Sequence, residues 1–391
     1  MELLDNPIRR YAWGSRTAIA TLQGRPTPTA GPEAELWMGA HPDSPSTVDG
    51  VPLTEVIAAD PAAVLGAGTL ARFGARLPYL MKILAAAEPL SLQAHPDPEQ
   101  ARAGFAAEEA TGVPADAPGR NYRDPYHKPE LLVAVEPFEA LCGFRDPVVT
   151  ADILAGLGVA DLATTVAALR RDDPSVALRD AVTGLLALTG TAGKSLVEEV
   201  VAAARTAGHE LAVALGERYP GDVGVVVALL LNHVRLAPGE AVWMPAGNLH
   251  AYLRGTGVEI MAASDNVLRG GLTPKHVDVP ELLRVLRFEV LPDPVRLPRE
   301  VGPGLVTWPT PVEDFALCRA EATADGLTLP GDGPRIVLCL RGRVRVGDGL
   351  GSVDLTGGRA AFGVAGQTAT VRGVGEVYQA MTAVAGTETA P

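Results

Sequence analysis

Gly239-Glu-Ala-Val-Trp-Met-Pro-Ala-Gly-Asn-Leu-His250 and Gly358-Arg-Ala-Ala-Phe-Gly-Val-Ala-Gly-Gln-Thr-Ala369 are two readings of one pattern. Gly239 and Gly247 align with Gly358 and Gly366, Ala241 and Ala246 with Ala360 and Ala365, and Trp243 with Phe362. A short apolar run, a break carrying glycine and a second extended run together read as strand, turn, strand. Two copies in one chain imply a duplicated β unit.

The first copy fits Gly-x5-Pro-x-Gly-x2-His, which resembles the second motif of cupins, small jelly-roll barrels with a metal inside. Proline and glycine shape a tight turn, and His250 then points into the barrel mouth. The second copy has Val364 for the proline and Ala369 for the histidine, so it is expected to keep the barrel and lack the metal. Between the copies and before them the periodicity changes. Pro147 to about Leu231 is Ala- and Leu-rich, with Leu196, Val197, Val200, Val201 and Ala204 on one apolar helical face and Ser195-Leu-Val-Glu198 as a capping box. Asp97-Pro-Glu-Gln-Ala predicts a capped helix over 97–112, and a short helix follows around Val279 to Leu286. The expected fold is mainly β with an α insertion: two cupin-type jelly-roll barrels plus an inserted helical domain. Residues 1–146 with 232–285 would form the metal-binding barrel, 147–231 the helical insertion, and 286–391 the degenerate C-terminal β domain.

Composition bounds the function. The 391 residues carry 33 Lys and Arg against 46 Asp and Glu, a net charge of −13. Without a basic patch, that charge excludes nucleic acid and anionic membrane as partners, while a few local cations could still hold a phosphate. The start, Met-Glu-Leu-Leu-Asp-Asn-Pro, has no apolar core of a secretory signal, and the longest apolar run, Val223 to Leu231, is about half a membrane span. Cys142, Cys318 and Cys339 lie in apolar strand contexts and read as buried thiols. A cytoplasmic monomer is expected, since no coiled coil or exposed apolar stripe is visible. Thr191-Ala-Gly193-Lys194-Ser195 looks like the end of a phosphate-binding loop, but Leu188 stands where its leading glycine belongs. A glycine turn before a helix is the better reading.

A metal constellation emerges from spacing. In Ser91-Leu-Gln93-Ala-His95 a period of two puts Ser91, Gln93 and His95 on one strand face. His250 supplies a third ligand, and Asp124-Pro-Tyr-His127-Lys128-Pro-Glu130 offers a carboxylate. Two nitrogens and two oxygens suit zinc with a position left for water or substrate.

Gln93-Ala-His95-Pro, His127-Lys-Pro-Glu130, Asn248-Leu-His250-Ala-Tyr252 and Ser264-Asp-Asn-Val-Leu-Arg269-Gly-Gly-Leu-Thr-Pro-Lys275-His276 resemble type I mannose-6-phosphate isomerases. The likeness runs nearly the whole length, from Tyr11-Ala-Trp13-Gly and Ala34-Glu-Leu-Trp37-Met-Gly-Ala-His41-Pro to the closing β region. It implies an isomerase that interconverts mannose 6-phosphate and fructose 6-phosphate through a cis-enediolate, with one zinc per chain on Gln93, His95, Glu130 and His250. It also implies that Arg269 is the active-site arginine. Proton transfer next to a carbonyl needs a base and charge stabilisation. Asp265, Lys128, His127 and Glu259 are the candidates for the base, with Asp265 and Lys128 preferred. For the sugar phosphate, Ser91, Lys82, Lys275, Tyr252, Glu259 and His127 are candidate contacts beside Arg269. An iron-dependent cupin oxygenase and a non-catalytic sugar-binding protein are the competing readings.

Overall fold

The computed structural model describes residues 1–114 and 116–383. Its organising element is the strand His250–Ala262, which belongs to two facing sheets at once. It turns from one to the other at Gly255, whose φ of +124° and whose approach to Phe138 leave no room for a side chain; a Cβ there would meet the ring at 2.6 Å. Before the bend it pairs with Phe138–Phe144 and meets Leu92–Ala94, with His250 directly opposite Gln93. After the bend it lies between Tyr79–Ala86 and Glu130–Ala134.

The first layer runs in the order Val295–Arg296, Ala241–Met244, Glu130–Ala134, His250–Ala262, Tyr79–Ala86, Glu35–Gly39 and Ile8–Arg9. The second contains Leu231–Leu236, Phe138–Phe144, the start of the bent strand, Leu92–Ala94 and Leu268–Gly271. All these pairings are antiparallel. Between the layers Leu84, Leu132, Ala134, Phe138, Cys142, Met244 and Tyr252 pack together. Lys82 and Glu130 share the inward face of those strands by alternation. Ile83, Leu131, Val133, Val258 and Ile260 point the other way, into a core shared with Leu317, Ile336, Leu338 and Tyr378 of the C-terminal sheet. Burial on both faces explains why Tyr79–Ala86, apart from Lys82, reads as a continuous apolar run rather than an alternating one.

Among the described residues the C-terminal sheet has nine strands, and it contains the second copy of the duplicated unit. Ala241–Met244 followed by His250–Ala262 corresponds to Arg359–Gly363 followed by Thr370–Met381. Gly239 and Gly358 both take positive φ, as do Gly247 and Gly366, and Ala369 is fully buried at the position of His250. The expected boundaries need correction at two places. Glu2–Leu4 pairs with Arg359–Gly363 in the C-terminal sheet, where Leu4 is buried, so the chain's first strand lies outside the unit assigned to 1–146. Val295–Arg296 still pairs with Ala241–Val242, so the first sheet system extends past 285.

Residues 147–228 form the expected helices, whose apolar faces share a core with the outer side of the second layer through Leu92, Leu141, Ala251, Leu253 and Leu268. The helix Pro98–Thr111 carries the full Asp97–Gln100 capping box and ends on left-handed Gly112. The capping box at Ser195 is not formed. That helix is Gly190–Ala207 and buries Leu196, Val197, Val200 and Ala204, but it starts earlier because Gly193 fits against Leu188 and Val223 where a Cβ would not. Ser195 and Lys194 are therefore inside a helix, with Lys194 facing Glu198 at 3.8 Å, and no phosphate loop exists there. Among the described residues no single helix is long and apolar enough to cross a membrane.

Candidate active site

Three strand ends deliver the metal-ligand set. His95 follows Leu92–Ala94, Glu130 opens its strand in the first layer, and His250 opens the bent strand. The bend at Gly255 is what lets Glu130 and His250, from different layers, face each other. His95 Nε2 lies 3.3 Å from Glu130 Oε1, and His250 Nε2 lies 3.3 Å from Glu130 Oε2. The three residues are 1%, 4% and 3% exposed for His95, Glu130 and His250. Gln93 stands directly opposite His250 in the strand register, so their side chains leave the same face.

The hydrogen bonds of the two rings decide what the cluster can hold. His95 Nδ1 meets the Asn266 carbonyl at 2.8 Å, and His250 Nδ1 meets the Asn248 carbonyl at 3.0 Å. A carbonyl can only accept, so each Nδ1 carries a proton, and the Nε2 of each ring is the atom turned toward Glu130. Burial holds His95 down at about 4, so it is neutral near pH 7 and its Nε2 has no hydrogen-bond partner. Burial works to raise the Glu130 carboxyl, yet its charged surroundings, Lys128 at 3.3 Å among them, hold it well below the usual carboxylate range. The neutral His95 aims its Nε2 lone pair at that carboxylate, a repulsion that a cation bound between them relieves. Imidazoles anchored through Nδ1 to carbonyls are the usual support of a metal site, and this donor set with Gln93 fits zinc. All three clustered donors lie within 4.8 Å of one another.

Lys82 occupies a different environment from the one expected of a phosphate ligand. Its Nζ is 3.0 Å from Glu259 Oε2 and 3.5 Å from Glu35 Oε1, deep between the sheets. Tyr252 donates to Glu259 at 2.8 Å and Trp37 Nε1 to Glu35 at 2.7 Å, which closes a buried network. Burial disfavours the ammonium, but Glu259, Glu35 and Glu130 outweigh it and raise the Lys82 pKa. Burial raises the Glu259 carboxyl, with Lys82 opposing. Lys82, Glu259 and Tyr252 thus build the floor of the site. Lys82→Met removes the single charge between two buried carboxylates and is expected to cost about 3 kcal/mol of stability, read as a lower urea midpoint. A midpoint within error of the unsubstituted protein would mean that the network is not held by this charge.

The opening of the site is cationic. Arg269 is half-buried and makes no ion pair among the described residues; burial and the nearby Arg123 lower its pKa. Burial, then Arg269 and Arg123, likewise lower Lys275. Three neighbouring cations, none in an ion pair among the described residues, suit an anion. Arg269 is in register with Gln93, which in turn faces His250, so this cluster adjoins the metal-ligand set across neighbouring strands. Lys128 Nζ lies 3.3 Å from Glu130. Asp265 does not pair with Arg269. His41 Nε2 lies 3.3 Å from its carboxylate and, against the effect of burial, helps bring it down to about 2. His127 points away, to Asp314 at 2.9 Å beside the C-terminal sheet. Ser91 lies half-buried just before Leu92–Ala94. The sequence reading missed Arg123, one residue before the Asp124-Pro motif, as well as Glu35 and Asn266, whose roles depend on partners far away in the chain.

A buried two-histidine, one-carboxylate centre beside a cluster of free cations defines a metal-centred protein for an anionic ligand. A family model described as the phosphomannose isomerase type I catalytic domain matches residues 1–147. The mannose-6-phosphate isomerase of Escherichia coli K12 is 38% identical over 387 residues, 96% of this chain and 98% of its own. That of Salmonella typhimurium LT2 is 38% identical over 93% of this chain and 94% of its own. The crystal structure of the Salmonella typhimurium enzyme bound to fructose 6-phosphate and zinc superposes with a TM-score of 0.89 at 36% identity, covering 98% of this chain and 100% of that one. The chain belongs to the type I phosphomannose isomerase family.

Proposed function

We propose that the protein interconverts mannose 6-phosphate and fructose 6-phosphate, with one zinc ion per chain held by Gln93, His95, Glu130 and His250. The observation that carries this is the pair of Nε2 atoms aimed at Glu130, next to Arg123, Arg269 and Lys275, which make no ion pair among the described residues. Bound zinc would supply a Lewis acid beside the sugar oxygens. The chain's own groups account for the rest. Arg269 offers a fork to the phosphate or to the developing enediolate oxygen, and Lys275 and Arg123 add charge at the opening. Asp265 is ionised at neutral pH and can accept the proton from one of C1 and C2 and return it to the other, while Lys128 beside Glu130 can stabilise the charge that develops. Buried Glu259 and Tyr252 keep water out of the floor.

The strand–turn–strand pair supports two cupin-type barrels, with 147–231 as a helical insertion whose core is contiguous with the outer side of the second layer. The net charge of −13 supports a cytoplasmic, monomeric enzyme with neither nucleic acid nor membrane as partner. The test is a coupled isomerase assay on the zinc-loaded protein. Turnover of mannose 6-phosphate is expected, without dioxygen uptake when Fe(II) replaces zinc. Dioxygen consumption without isomerisation would make the protein an oxygenase, and binding without any turnover would make it a sugar-binding protein.

A further inference from the structure

Residues 120–129 form neither helix nor strand, yet they carry Arg123 and Lys128 and lead directly into Glu130. Their position against the strands depends on specific hydrogen bonds, and most of these converge on one side chain. Asn266 is fully buried. Its Oδ1 accepts from the amides of Arg123 at 2.7 Å and Asp124 at 3.3 Å. Its Nδ2 donates to the carbonyls of Asp124 at 2.7 Å and Tyr126 at 2.8 Å, with the Asp124 carboxylate at 3.4 Å. An amide has two donor hydrogens and two acceptor lone pairs, so its capacity is filled by this one loop. The same residue's carbonyl accepts from His95 Nδ1. Three positions later comes Arg269.

We propose that Asn266 is a positioning residue that registers the phosphate-facing loop against the metal-facing histidine. The proposal rests on the reading of Arg123, Arg269 and Lys275 as the phosphate site. Neighbouring contacts reinforce the clasp: Ser264 Oγ donates to the Tyr126 carbonyl at 3.0 Å, and the Asp265 amide donates to Asp124 at 2.7 Å. Without Asn266 the loop would lose its register and the His95 tautomer its fixed acceptor. One residue, its side chain on the loop and its backbone carbonyl on His95, thereby ties phosphate binding to metal retention, two functions on separate segments.

Asn266→Asp keeps the shape and turns both donors into an acceptor facing two carbonyl oxygens. In the zinc-loaded enzyme we expect KM for mannose 6-phosphate to rise on the order of tenfold and kcat to fall on the order of tenfold. Zinc loss to a chelator should also accelerate. Arg123→Ala leaves the Arg123 amide in place and should itself raise KM. In that background Asn266→Asp should change KM by less than about twofold, because the loop it places no longer bears the charge. A fall in Tm with KM and zinc loss unchanged would reduce Asn266 to a structural role and overturn the proposal. So would a KM effect that multiplies undiminished onto Arg123→Ala. An Arg123→Ala enzyme with unchanged KM would instead overturn the phosphate reading, and the proposal with it. If Asn266→Asp does not fold, Ser264→Ala, which removes the Ser264 Oγ bonds to the Tyr126 carbonyl and from the Asn266 amide, should show the same KM and zinc-loss effects more weakly; their absence overturns the proposal.

Discussion

Removing the metal with a chelator abolishes isomerase turnover, by on the order of 10³-fold or more, and zinc restores it. The expectation follows from the electrostatics of the unligated cluster. His95 and His250 are committed through Nδ1 to backbone carbonyls, so a neutral ring at either position keeps its proton on Nδ1 and presents Nε2 to Glu130 as a lone pair. The site is therefore built in a form that only a cation completes. The same argument ranks the histidines. His250→Ala should approach the loss seen on chelation, and zinc content should drop with it. His233→Ala should leave activity within about twofold, because His233 faces Glu139 on the far side of the second layer at 3.3 Å and removing it breaks only a half-exposed pair. Equal losses for the two, or full activity in protein shown by elemental analysis to be metal-free, would contradict the ligand assignment.

Arg269→Lys is expected to keep the fold and the zinc and to lose about 10²-fold or more in kcat. Had Arg269 been paired with Asp265, its substitution would have acted mainly on loop stability. Asp265 is engaged by His41 instead, and Arg269 has no acid within ion-pair distance among the described residues. A guanidinium kept half-buried beside Arg123 and Lys275 is under unfavourable like-charge repulsion, which a bound phosphate would relieve. Lysine retains the charge and loses the planar fork, so the variant separates geometry from charge. Tm, zinc content and kcat measured side by side decide the matter. A kcat near that of the unsubstituted enzyme, or a loss that merely tracks unfolding or zinc release, would remove Arg269 from the catalytic machinery.

The parts of this protein legible from the sequence are those fixed by short-range chemistry. The turn Met244-Pro-Ala-Gly247, the alternation through Gln93 and His95 and the capped start at Asp97 are local, and the structure reproduces all three. The duplication was readable because the left-handed positions at Gly239, Gly247, Gly358 and Gly366 demand glycine in both copies. Ser195 misled because a capping signature says nothing about Gly193 being drawn against Leu188 from a neighbouring turn. Lys82 stands among apolar residues of a strand, where an unpaired charge is costly, but its partners Glu35 and Glu259 lie on the two flanking strands, invisible without the sheet order. His127 sat in a motif with Lys128 and Glu130, and only tertiary packing shows its ring turned to Asp314. Strand Glu2–Leu4 joins the sheet most distant from it in sequence, a pairing no local pattern encodes.

The central claim is that the Nε2 atoms of His95 and His250 and the Glu130 carboxylate enclose the metal. Anomalous diffraction at the zinc absorption edge, on crystals of the zinc-loaded protein, tests it directly. The account predicts one peak per chain, about 2.0–2.2 Å from His95 Nε2, His250 Nε2, a Glu130 oxygen and the Gln93 amide oxygen. A principal peak at His41, Asp43 and Asp265, the other described group able to gather around an ion, with none between His95 and His250, would contradict it.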